Sequence, residues 1–172
     1  MEELATGFGL VEGPTWINDT GLLFSDVIKG GVYLLDHLNN VSTIVEHRRG
    51  IGGIAIHQEN GLIVGGKNIA YKSFTGDKTT ILLSNDVTEV ALGFNDLTTD
   101  SKGRVYVGSV AFKVFSDDEM IPGHLHMIDV DGSVRTISDG VLLTNGLGFS
   151  PDGRTLYPVS YTHLTLPTME LV

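Results

Sequence analysis

The sequence predicts an all-β chain folded as a β-propeller, on three observations. Turn glycines recur with a period of about forty residues, each period holds four short alternating segments, and no segment carries a 3.6-residue amphipathic period of helical length. The turns are NDTG ending at Gly21, ENG at Gly61, SKG at Gly103 and SPDG at Gly153, spaced by 40, 42 and 50 residues. Each precedes a short run rich in apolar residues. Repeats of this length mark solenoids, propellers or arrays, and four antiparallel strands per repeat is the make-up of a propeller blade.

The elements follow in order. The first repeat holds a strand around Gly13–Ile17, then LLFSD, GVYLLD (31–36) and VSTIVE (41–46). The second holds IGGIAIH (51–57), LIVGG, IAYKSF (69–74) and TTILLS (79–84). The third holds LGFNDLTTD (92–100), VYVGSV, HLHMID (124–129) and SVRTIS (133–138). Alternation, β-branched residues and the intervening turn sequences all favour antiparallel hairpins. A fourth repeat begins at SPDGRTLY (150–157). That makes about three and a half blades, whereas closed propellers have typically 4–8, so the chain is expected to be an incomplete propeller over residues 1–157. Residues 158–172 are expected to be a non-native tail, because PVSYTHLTLPT back-translates to a sequence resembling read-through of a transposase sequencing adapter. Tyr161 and His163 are accordingly given no functional weight.

Bulk properties narrow the partners. Hydrophobic residues make up 41% and charged residues 19%, a globular composition. The 22 glycines are about twice average usage, which reads as many tight turns. A net charge of −10, with no basic cluster beyond Arg48-Arg49, argues against nucleic acid and against an anionic membrane surface. There is no cysteine, so neither disulfides nor thiolate chemistry are available. No apolar run approaches a membrane span and the start shows no signal peptide, so the expected location is cytoplasmic.

Propeller chemistry sits where the first strand of each blade lines the central channel. The polar residues interrupting those strands are Glu12 in GLVEGPTW, Asn95-Asp96 in GFNDLTTD and Asn145 in LTNGLGFSPDG; the second blade offers only the glycines of IGGIAIH. A carboxylate and amide carbonyls are hard oxygen ligands suited to a divalent cation. The same residues also read as a solvated carboxylate and as turn formers.

At these residues the chain resembles the SMP-30/gluconolactonase (regucalcin, LRE-like) family. EGPTW (12–16), FNDLTTDSKGRVYVGS (94–109) and TNGLGFSPDGRTLY (144–157) match three successive signatures of that family in order and approximate spacing. The resemblance implies a six-bladed propeller with one divalent cation (Ca²⁺, Mg²⁺, Mn²⁺ or Zn²⁺) in its channel, and hydrolysis of small-molecule sugar lactones. It implies Glu12 and Asn145 as metal ligands, and Asn95 as a substrate contact. Glu119, four residues before Gly123, falls where some members place a substrate-contacting Glu. Two departures accompany it. The family's Arg two places before the Asn is Gly93 here, and the third ligand, an Asp that also activates water, is expected beyond residue 157; Asp152, on an outer turn, is no substitute.

The reading that results is part of a metal-dependent lactonase, with no catalytic residue of its own assigned. The alternative is a non-catalytic propeller binding a metal or a partner, with the chain itself inactive. The histidines are expected at strand ends or half-buried on outer strands, and Trp16 between blades. No G-x-S-x-G elbow supports a serine hydrolase.

Overall fold

The structure, a computed structural model, describes residues 2–75, 79–87, 91–117 and 119–160, together with Met169–Glu170. Its strands form four sheets, each an antiparallel meander in chain order. The first contains β1 (Val11–Ile17), β2 (Gly21–Asp26), β3 (Val32–Asp36) and β4 (Val41–Val45). The second contains β5 (Ile54–His57), β6 (Gly61–Val64), β7 (Asn68–Ser73) and β8 (Thr79–Ser84). The third contains β9 (Gly93–Thr99), β10 (Val105–Val110), β11 (Gly123–Ile128) and β12 (Val134–Val141), and the fourth β13 (Leu147–Phe149), β14 (Thr155–Pro158) and β15 (Met169–Glu170). The first strands β1, β5, β9 and β13 neighbour one another in sequence, which is the arrangement of propeller blades about a channel.

Burial follows position within each blade. The second strands GLIV and VYVGSV are buried along their whole length, because both faces of a blade's middle are covered by neighbours. The outer strand VSTIV is exposed except at Val45. Three apolar seams join the sheets. Leu23 and Val32 of the first pack with Ile54 and Leu62 of the second. Ile63, Ile69 and Leu83 of the second meet Phe94, Val107 and Ile128 of the third. Tyr106, Leu125 and Met127 of the third close on Leu156.

Carboxylates fix the turns. In the third repeat Asp100 accepts the backbone N–H groups of Lys102 and Arg104 at 2.9 and 3.0 Å, and Nε of Arg104 at 2.6 Å. Asp26 is fully buried and accepts N–H groups from Gly9, Leu10, Ile28 and Lys29, tying the segment before β1 to the end of β2. Burial alone would raise its pKa, but these four donors outweigh that and hold the carboxyl below its ordinary value.

Two expectations change. Among the described residues Trp16 is 58% exposed, its ring edge-on to His37 at 5.4 Å, because it lies on the face of the first sheet opposite the seam with the second. His126 is fully buried rather than half-solvated: it pairs with Val107 on the seam face of the third sheet and stands edge-on to Phe94. Pro158 completes β14, and Val159 exchanges backbone hydrogen bonds with Asn145 and Gly146 at 2.7 and 2.9 Å. Tyr161 and His163 lie outside the described residues. Among the described residues no helix is long and apolar enough to cross a membrane.

Candidate active site

Two β-bulges shape the channel. In β1, Glu12 faces Ser25 and Thr15 faces Leu23, so Gly13 and Pro14 stand together opposite Phe24. In β9, Phe94 faces Ser109 and Leu97 faces Val107, so Asn95 and Asp96 stand together opposite Gly108. A bulge takes its residues out of the strict alternation of a strand and re-aims their side chains. Asn145 lies just before β13, where Gly146 adopts a φ of 122°, a left-handed region open to glycine. Among the described residues β12 and β13, the strands on either side of this Asn-Gly, belong to different sheets, so it is not a hairpin turn.

These elements bring Glu12, Asn95 and Asn145 to one cleft of about 600 Å³. Asn95 donates through Nδ2 to the carbonyl oxygen of Thr144 at 2.6 Å and lies 3.5 Å from Oδ1 of Asn145. The third and fourth sheets are thereby linked at the floor of the cleft. Among the described residues Nδ2 of Asn145 is buried with no hydrogen-bond partner. A buried donor left unpaired costs about 1–3 kcal/mol, so the position suits an oxygen of a bound ligand. Lys67 brings the only ammonium among the described residues that line the cleft, at its exposed rim. Glu119 is exposed on the loop between β10 and β11 and does not line the cleft, although Val114 and Phe115 of the same loop do.

Three further residues adjoin the site. A β-carbon at Gly52 would lie 2.8 Å from Cγ of Asn95 and closer still to its Oδ1, and one at Gly53 would lie 2.6 Å from Oδ1 of Asp96. The glycines of the second blade are thus the space that the bulge of the third blade fills. Asp96 lines a second cavity with Thr15, Thr98 and Gly146. Burial pushes its carboxyl up to about 6, against N–H groups of Leu97 and Gly146 that favour the charged form, and the nearby charge of Glu12 adds to the rise. The sequence displayed all three: a Gly-Gly pair where neighbouring blades carry side chains, and an acid adjacent to the inward Asn.

The donor set available to a cation is one carboxylate, Glu12, and amide oxygens, with Asn145 beside it in the cleft. Among the described residues no group of three or more His, Asp or Glu side chains gathers at a metal-binding distance. Hard oxygens of this kind fit Ca²⁺, Mg²⁺ or Mn²⁺ better than a softer ion, and two protein ligands leave most coordination positions open.

Comparison with known proteins agrees with the blade architecture. A family model described as the SMP-30/Gluconolactonase/LRE-like region matches residues 10–164. Pentonolactonase XacC of Haloferax volcanii is 27% identical over 154 residues, 88% of this chain and 50% of that protein. Regucalcin of Xenopus laevis is 28% identical over 149 residues, 85% of this chain and 50% of that protein. Among solved structures, a calcium-binding regucalcin from Agrobacterium tumefaciens superposes with a TM-score of 0.79 at 18% identity, over 98% of this chain and 57% of that one. The chain spans about half the length of the curated relatives it matches. With the signatures, the blades and the family match in accord, this chain belongs to the SMP-30/gluconolactonase/LRE-like family.

Proposed function

We propose that this chain is part of a divalent-cation-dependent hydrolase that opens lactones, its active form carrying further blades that supply the rest of the channel. One observation carries the reading: Glu12, Asn95 and Asn145, from three different sheets, line a single cleft. The named relatives, a pentonolactonase and two regucalcins, support the reaction class and the cation.

In this reading Glu12 and Asn145 hold the cation through oxygen. When bound, the ion supplies Lewis-acid polarisation of an ester carbonyl. Asn95 is fixed by its bond to Thr144 and orients the substrate beside Asn145. The unpaired Nδ2–H of Asn145 gives a preorganised donor for a substrate oxygen. Water adds to the lactone carbonyl carbon, the ring C–O bond breaks, and the product is the open-chain hydroxy acid. The test is lactone hydrolysis by the full-length protein, with and without chelator, beside Glu12→Gln. Loss of activity on chelation, and a joint fall in metal affinity and rate in the variant, are expected. Unchanged activity in both would remove Glu12 and the cation from the site.

A further inference from the structure

The polar floor of the cleft is ringed largely by residues whose side chains offer a ligand nothing polar. Two places before Glu12 stands Leu10, two before Asn95 stands Gly93, and two before Asn145 stands Leu143, and all three line the cleft. Two places before Gly52, which gives way to Asn95, stands Gly50, again in the lining. Nearer the mouth, Leu92, Val114 and Phe115 line the same space with 53%, 42% and 77% of their surface exposed. Exposed apolar side chains gathered in a cleft mark a place where apolar matter binds. Here they continue from the polar floor along the same chain segments: Leu92 to Asn95, and Leu143 to Asn145.

Building on the lactone-hydrolase reading above, we propose that this cleft selects lactones bearing an apolar substituent over polyhydroxylated ones. The ring carbonyl sits at Glu12, Asn95 and Asn145, and the substituent lies between Leu10 and Leu143, running out toward Leu92 and Phe115. A sugar lactone carries several hydroxyl groups, each of which needs a partner. On the described walls the side-chain donors and acceptors are Glu12, Asn95, Asn145 and Lys67, and the Asn95 donor is already engaged by Thr144. Each hydroxyl pressed unpaired against leucine weakens binding roughly five- to hundredfold. Each methylene moved from water onto the same wall strengthens it about fourfold. At about 600 Å³ the part of the cleft formed by this chain exceeds a lactone ring.

The experiment measures kcat/KM of the full-length protein on γ-lactones bearing methyl, propyl and pentyl groups, beside gluconolactone. Binding of the matching unreactive alkyl lactams is read by calorimetry. The expected result is a rise of about fourfold per methylene in both readouts, with gluconolactone the poorest substrate. Phe115→Ser and Leu92→Ser, both at exposed positions, flatten that slope. A flat slope with gluconolactone preferred overturns the apolar-substituent proposal and leaves the lactonase standing. Hydrolysis of neither series, whichever divalent cation is supplied, overturns the lactonase reading and this proposal with it.

Discussion

Gly52→Ala tests whether the second blade's glycines exist to receive Asn95. The added β-carbon would lie 2.8 Å from Cγ of Asn95 and 3.3 Å from its backbone carbonyl carbon. Carbon pairs rest at about 3.5–4.0 Å, so the amide must withdraw by roughly 1 Å. That movement breaks the 2.6 Å bond from Nδ2 to the carbonyl of Thr144, which is itself buried. Losing a buried hydrogen bond costs about 1–3 kcal/mol, and crowding a packed interior adds about 1–3 kcal/mol, so a loss of roughly 2–6 kcal/mol is expected. Gly52 has an ordinary backbone conformation, so the cost lies in the contact and not in φ. Asn95→Ala removes the obstructing amide, and in its presence Gly52→Ala should cost at least 1 kcal/mol less. Urea unfolding of the wild type, both single variants and the double variant completes the cycle. Additive effects, with coupling below about 0.5 kcal/mol, would show that the two residues do not compete for this space.

Other outcomes follow from the same structure. Asp26→Ala strands four N–H donors at one buried point and should destabilise by about 3 kcal/mol or more, read as a urea midpoint. Its carboxyl is held below the ordinary value of 3.8, so its contribution is full above that pH and fades as pH falls through the folded value. Asp96 behaves oppositely: folded at about 6 against 3.8, it keeps its proton longer in the folded chain. Stability therefore falls as pH rises from about 4 to 6 and is level above. Asp96→Asn should be more stable by roughly 1–3 kcal/mol at pH 7.5, with no difference at pH 4, in paired urea curves. Trp16→Ser, at an exposed site, should leave stability within about 0.5 kcal/mol by the same measurement.

The blades were legible because two signals repeat together, a turn ending in glycine and an alternating strand. TTILLS coincides with β8, and the third blade's predicted segments fall on its four strands. Glu12, Asn95 and Asn145 could be found once repeats were aligned, since each interrupts an apolar innermost run. The bulges were not legible: nothing in GFNDLTT says that Asn95 and Asp96 share a single position opposite Gly108. Nor was the role of Gly52, because a missing side chain acquires meaning only from the amide that occupies its place. His126 and Trp16 show the same limit. Both alternate properly along their strands, and burial was decided by which face another sheet covers.

The three seams give the molecule a graded resistance to opening. Among the described residues the second and third sheets are each clasped on both faces, whereas the first and fourth each share in one seam. Such stacks lose order from their least-supported members inward, since each unit is held by its immediate neighbours alone. Amide exchange should be slowest along β6 and β10 and faster in β4. In this chain by itself Asn95 therefore belongs to the slow-exchanging middle, while Glu12 and Asn145 belong to the first and fourth sheets. A molecule gripped by both would act as a clasp across the arc, slowing exchange in the first and fourth sheets at once though it touches neither seam.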